Sequence, residues 1–238
     1  KICDLYRRIS HKYWYKYCIS ICIMKNPIVW LGLSFDNPYF SSTILEKYVT
    51  YVTNLGFPFS VHLTDTLLPF SLKAKLPSLT NAEIKNRVEK IVSDSERMLL
   101  KMRIHSQKDF EIVKWSHLLA NDKRLGALST WALNEINENI DLSSSLEVRA
   151  IDFLNKCTLS NKTISQIAVN ESKKYLWLET VVSSYLREHT VYSIEVTPYG
   201  SIGIVNQLYS NPKLNLLRKI VLTSNVKEPK IYHLKFTS

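Results

Sequence analysis

Residues 28–65 hold two short apolar runs on either side of a helical segment, and this arrangement restricts the fold more than any other feature of the chain. Ile28-Val29-Trp30-Leu31 leads into Gly32-Leu33-Ser34, with Asn26-Pro27 before it and the turn residues Asp36-Asn37-Pro38 after it. A brief apolar run closed at both ends by turn formers reads as a buried strand. Ser42 to Asn54 has helical spacing and is stopped by Gly56-Phe57-Pro58, and Phe59 to Asp65 reads as a second strand. Two strands joined through a helix run parallel, since a hairpin needs only a tight turn, and the crossover is expected to be right-handed.

The same alternation continues. Leu79-Thr80-Asn81 caps a long helix reaching about His105, and Phe110 to Trp115 reads as a third strand. Helical patterns follow at about 122–138, 144–157 and 162–184, then a strand from Val191 to Thr197 that ends at Pro198-Tyr199-Gly200. A helix near 203–209, a basic segment with Lys213, Arg218 and Lys219, and strands near 219–223 and 230–236 complete the chain. Strands alternating with helices predict an α/β, Rossmann-like fold: a mainly parallel, doubly wound sheet flanked by helices. The 238 residues are expected to form one domain, 1–238, with residues 1–26 as a basic, aromatic N-terminal segment. A start at Lys1 rather than methionine suggests part of a longer protein.

The net charge of +10 points to a polyanionic partner, with nucleic acid the first candidate. In residues 1–26, Arg7, Arg8, Lys12, Lys16 and Lys25 interleave with Tyr6, Tyr13, Trp14, Tyr15 and Tyr17. That mixture suits stacking on bases, and it equally suits an amphipathic helix packed on the core. The helix over 81–105 carries Lys85, Arg87, Lys90, Arg97, Lys101 and Arg103, and its acids thin out after Glu96, leaving a cationic C-terminal half. A solvated surface helix would look the same. Cys3, Cys18, Cys22 and Cys157 match no metal-ligand spacing and read as buried, reduced thiols. The apolar run Cys18 to Met24 is far short of the ~20 residues a membrane span needs, so a cytoplasmic location and no membrane partner are expected.

In open parallel sheets, ligands bind at the carboxyl ends of the strands near the point where strand order reverses. Ser34 is expected there if the first strand is central. Gly32, two residues earlier on the same strand face, leaves space for a ligand beside the backbone. Commoner chemistries do not fit. Asp36 stands where a Gly-x-Ser-x-Gly nucleophile elbow needs its last glycine, and phosphate-loop, dinucleotide and His-Glu-x-x-His motifs are missing from the sequence. Tyr175 and Glu179, at i and i+4, share one helix face; a carboxylate beside a phenol can hold an ammonium group and move its proton. Tyr199 offers a second phenol at a strand end. Taken singly, each of these is more often a structural hydrogen bond.

Taken together, the set Gly32-x-Ser34-x-x-Asn37-x-Tyr39-Phe40, then Tyr175-x-x-x-Glu179, then Tyr199 resembles the cyclodipeptide synthases in order and spacing, over about residues 28–220. The resemblance implies a fold similar to the catalytic domain of class I aminoacyl-tRNA synthetases, without ATP-activation motifs. It implies an aminoacyltransferase that uses two aminoacyl-tRNAs in turn, makes a cyclic dipeptide (a 2,5-diketopiperazine), and needs no metal or other cofactor. By this resemblance Ser34 is the nucleophile, Tyr175 and Glu179 position the substrate ammonium, and Tyr199 relays protons. Gly32 would open the first side-chain pocket, Asn37 would orient the loop near Ser34, and Lys90, Arg97, Lys101 and Arg103 would contact tRNA phosphates. Pocket positions Trp30, Val182 and Thr197 suggest a mainly apolar first pocket and hydrophobic substrates. Gly200 stands where the family's two branches carry His or Pro, and Val181 where many members carry Pro. A monomer is expected.

Two other readings are open to the sequence. A non-catalytic tRNA- or RNA-binding module accounts for the charge but gives Ser34, Tyr175 and Glu179 no reason to coexist. An esterase-like hydrolase using Ser34 needs a histidine partner, for which His62, His117 and His189 are the candidates.

Overall fold

The computed structural model describes residues 28–33, 42–54, 56, 58–106, 109–157, 164–189, 192–197 and 231–233. Five strands form one parallel sheet: β1 (Ile28–Leu33), β2 (Phe59–Leu63), β3 (Glu111–Lys114), β4 (Tyr192–Thr197) and β5 (Ile231–His233), in the order β3-β2-β1-β4-β5. The chain steps outward from β1 to β2 and β3, then returns to lay β4 on the other side of β1. The strand order therefore reverses between β1 and β4, and β1 is central. This is the doubly wound, Rossmann-like α/β sheet that the sequence predicts. Gly32 faces His62 in the β1–β2 register, one residue before the end of β1.

Alternation along β1 and β2 divides the interior in two, because successive side chains leave a strand on opposite faces. On one face Val29, Leu31, Leu33, Phe59, Val61 and Leu63 pack against α1 (Ser42–Asn54), through Leu45, Val49 and Val52, and against Leu99 of α3 (Asn81–Ser106). On the other, Trp30 joins a cluster with Leu178, Val182 and Tyr185 of α7 (Gln166–His189). That second layer also contains α2 (Leu68–Lys75), α4 (Trp115–Asn121), α5 (Lys123–Glu138) and α6 (Ile140–Cys157). From Trp177 to Leu186 nearly every α7 side chain is buried, as expected of a helix enclosed by sheet and helices together.

The termini of these elements have local causes. Gly56 turns between α1 and β2 with φ 75°, a conformation that favours glycine. At the start of α3, the Glu83 amide donates to Thr80 Oγ1 (3.3 Å) and the Thr80 amide donates to Glu83 Oε2 (2.8 Å), which is a capping box. Those bonds hold the Glu83 carboxyl below its usual pKa. Asp122 accepts from the amides of Arg124 and Leu125 to cap α5, and its second oxygen accepts from Tyr185 Oη (2.8 Å), tying the cap to α7.

Some boundaries differ from the sequence expectation. Trp115 opens α4 rather than closing the third strand, because the chain passes from strand to helix with no intervening turn residue. The helix expected over 144–157 begins at Ile140, where Asn139 Oδ1 accepts from the Leu142 amide and starts it one turn earlier. The helix expected over 162–184 continues to His189. The N-terminal segment 1–26, the helix near 203–209, the basic segment with Lys213, Arg218 and Lys219, and the strand near 219–223 lie outside the described residues.

Candidate active site

The α7-facing side of β1 and β2 carries residues unlike those of an aliphatic core. Trp30 and Gly32 alternate on β1, and Ser60, His62 and Thr64 alternate along β2 and its exit. All but Gly32 are buried. The Trp115 indole N–H donates to His62 Nδ1 (3.2 Å), so the ring proton belongs on Nε2, which lies 3.0 Å from Ser60 Oγ and donates to it. Burial lowers the His62 pKa from 6.5 to about 3, leaving the imidazole neutral. The Trp30 ring lies over His62, with centroids 4.8 Å apart, and 6.3 Å from the Trp115 ring.

At the mouth of this layer, Thr64 Oγ1 donates to the Leu33 carbonyl (2.9 Å), pinning the last residue of β1. Beside it, a Cβ placed on Gly32 would lie 3.3 Å from Trp30 Cζ3 and 3.9 Å from Thr64 Cγ2, the approaches within 4 Å among the described residues. Across the layer, Tyr175 Oη donates to Glu179 Oε1 (3.4 Å), so the i, i+4 pair does meet on one face of α7. The Tyr175 ring is stacked on Phe153 of α6 at 5.5 Å and 19°, and it belongs to the same apolar cluster as Trp30 and Val182. The structure thus brings Trp30, Tyr175 and Val182 into one cluster between β1 and α7, with Glu179 hydrogen-bonded to Tyr175 and Gly32 beside the Trp30 ring. Thr197 is the last residue of β4, which pairs with β1 at the strand-order reversal. Ser34, Asn37 and Tyr199 lie outside the described residues, as do Tyr39 and Phe40.

Of the sequence candidates for a triad histidine, His62 does not qualify. Both ring nitrogens are engaged in a buried network, and a pKa of about 3 leaves little basicity at neutral pH. His117 is exposed on α4. The role that sequence reading missed is that of Ser60, His62 and Trp115 in clamping Trp30. The signal was present in Phe59-Ser60-Val61-His62-Leu63-Thr64, where polar and apolar residues alternate on a strand buried on both faces.

Lys90, Arg97, Lys101 and Arg103 all project from α3 into solvent. Asp94 is 3.6 Å from Arg97, and Glu96 is 2.8 Å from Lys114 at the end of β3, so both preceding acids are engaged in ion pairs. No acid follows Glu96 on the helix, and its last turns present Lys101 and Arg103 as a cationic end. Among the described residues there is no cluster of side chains suited to a metal ion, and no helix is long and apolar enough to cross a membrane.

The sequence matches no protein-family model and no curated protein. Solved structures do match. A CDPS from Fluoribacter dumoffii superposes with a TM-score of 0.66 at 14% identity, covering 89% of this chain and 91% of that one. The fold is shared with the cyclodipeptide synthases. The Streptomyces noursei cyclodipeptide synthase gives a TM-score of 0.58 at 15% identity, with 90% of this chain and 96% of that one covered. A Mycobacterium tuberculosis protein, whose structure relates cyclodipeptide synthetases to type I tRNA synthetases, gives 0.61 at 14% identity over 81% of each chain. The cyclodipeptide synthase fold thus extends over nearly the whole chain, which is the architecture that the sequence motifs imply.

Proposed function

We propose that this chain is a tRNA-dependent cyclodipeptide synthase, acting as a single catalytic domain and a cytoplasmic monomer on two aminoacyl-tRNAs in turn. The observation that carries the reading is the hydrogen-bonded Tyr175–Glu179 pair on α7, whose tyrosine shares a cluster with Trp30 of the central strand β1 in a cyclodipeptide synthase fold. The residue after β1 is Leu33's neighbour Ser34, a hydroxyl two positions beyond Gly32.

In this reading, Ser34 Oγ attacks the ester carbonyl of the first aminoacyl-tRNA. The bond to the tRNA ribose oxygen breaks, that oxygen takes the proton, and an aminoacyl-seryl ester remains. Glu179 and Tyr175 hold the α-ammonium of the bound group, and Glu179 accepts its proton to expose a neutral amine. The amine attacks the ester of the second aminoacyl-tRNA, forming a peptide bond and releasing the second tRNA. The new terminal amine then attacks the seryl ester, closing the six-membered ring and returning Ser34 to its hydroxyl, with Tyr199 relaying the proton. Both esters arrive activated, so the scheme calls for neither nucleotide nor metal. Asn37 orients the loop after β1, and Lys90, Arg97, Lys101 and Arg103 seat the tRNA through its phosphates.

Mass spectrometry of medium from bacteria expressing the chain, beside a Ser34→Ala control, tests the proposal. New cyclic dipeptides absent from the control are expected. A folded, tRNA-binding protein that yields no cyclic dipeptide would favour the non-catalytic binding module instead.

A further inference from the structure

Helix α6 supplies none of the residues assigned to the chemistry, yet it backs the part of α7 that carries them. Ala150 and Leu154 of α6 cluster with Ala168 and Val169 of α7, while Leu142 and Leu146 cluster with Trp177 and Val181. The two helices therefore run antiparallel, in contact on both sides of Tyr175. Between those clusters Lys173 is buried; its ammonium donates to Ser143 Oγ (2.6 Å), and Glu147 Oε2 lies 3.9 Å away. Parting a buried ammonium from such partners is costly, so the contact holds the two helices in register.

Phe153 is the α6 side chain that reaches the tyrosine–carboxylate pair. Its ring lies against Tyr175, with centroids 5.5 Å and planes 19° apart, and it packs against both the Trp30 cluster and the Ala150 cluster. The Tyr175 Oη to Glu179 Oε1 distance of 3.4 Å is at the long limit for a hydroxyl donor, so the bond has little slack. A small tilt of the ring would carry Oη out of reach. Resting on the synthase reading, in which Tyr175 and Glu179 hold the substrate ammonium, we propose that Phe153 is a positioning residue. Its ring face fixes the plane of Tyr175 and so keeps the phenol on Glu179. An aliphatic side chain of similar bulk would fill the space but lose the stacking preference of two aromatic rings, leaving the Tyr175 ring free to tilt.

A double-mutant cycle tests this, reading cyclic dipeptide synthesis from total bacterial tRNA charged with all twenty amino acids, with folding of each variant verified by thermal melting. Phe153→Leu should lower kcat about tenfold while KM for charged tRNA changes less than about twofold, since the proposed tRNA contacts lie on α3. Phe153→Tyr keeps the ring face and should retain near wild-type kcat. Tyr175→Phe should also lower kcat, and adding Phe153→Leu to it should cost almost nothing more, because the phenol to be positioned is gone. Equal costs of Phe153→Leu in the wild-type and Tyr175→Phe backgrounds overturn the role. So does a folded Phe153→Leu with wild-type kcat. If Phe153→Leu does not fold, carbon-13 NMR of wild-type protein with ring-labelled tyrosine decides. The Tyr175 signal, identified by its loss in Tyr175→Phe, should be shifted by the Phe153 ring and show slow ring flipping; an unshifted, fast-flipping signal overturns the proposal. Wild-type protein that yields no cyclic dipeptide overturns the synthase reading itself, and this role with it.

Discussion

The two faces of the central strands differ as sharply as two separate proteins. On the α1–α3 side, Val29, Leu31, Leu33, Val61 and Leu63 meet only apolar partners within their cluster. On the α7 side, the intervening residues are Trp30, Gly32, Ser60, His62 and Thr64, bound into hydrogen bonds and ring stacks. Both faces are buried, so burial alone does not separate structure from chemistry. What separates them is that one face satisfies only packing, while the other meets the polar demands of a histidine, a threonine and a tyrosine–carboxylate pair. A one-residue slip of β1 would exchange the two sets, which is why its register is strongly fixed.

Substitutions that hit one face and spare the other sharpen this contrast. The largest effect is expected from Glu179→Gln on the α7 side: cyclic dipeptide formation should fall by about 10²–10⁴-fold, as for loss of a general base, with the thermal melting temperature nearly unchanged. Leu31→Ala on the opposite face should do the reverse. Chemical denaturation should show a loss of about 2–5 kcal/mol, while the protein that remains folded keeps its substrate preference. Equal loss of activity and stability in both variants would erase the distinction between the faces.

A subtler test uses pH. His62 titrates near 3 when folded and near 6.5 when unfolded, so between those values the unfolded chain binds the extra proton. Stability therefore falls as pH drops from about 7.5 toward 3, and above about 7.5 this group contributes almost nothing to the pH dependence. Urea midpoints should reveal about 2 kcal/mol lost to His62 between pH 7.5 and pH 5, and His62→Gln should remove that slope. The smallest effect is expected on α3, outside the aliphatic face. Replacing Lys101 and Arg103 by alanine should leave stability unchanged and lower the salt dependence of tRNA binding by about two in log–log slope.

Much of the scaffold was legible in the sequence because its elements carry strong local signals. The βαβ unit is bounded by Pro27, Pro38, Gly56 and Pro58, and α3 announces itself through Thr80 and Glu83. Two short helices escaped. In α2 the apolar residues run on around Pro69 with no single stripe, and α4 follows β3 without a break, so neither periodicity nor punctuation marks them. Tyr175 and Glu179 could be paired from spacing alone, since four residues span one helical turn. The clamp on Trp30 could not, because it unites positions 30, 60, 62 and 115, whose contact is made by the sheet. Fully buried Trp30 is an apolar residue in the sequence, but only the register of β1 on β2 places its ring against His62.

The central claim is that the end of β1 presents a nucleophile to an activated aminoacyl ester. Peptide mapping of protein quenched in acid during reaction with aminoacyl-tRNA tests it most directly. The account predicts an aminoacyl or dipeptidyl ester on Ser34 that disappears in Ser34→Ala. An ester carried by any other residue, or one that persists in Ser34→Ala, would contradict it.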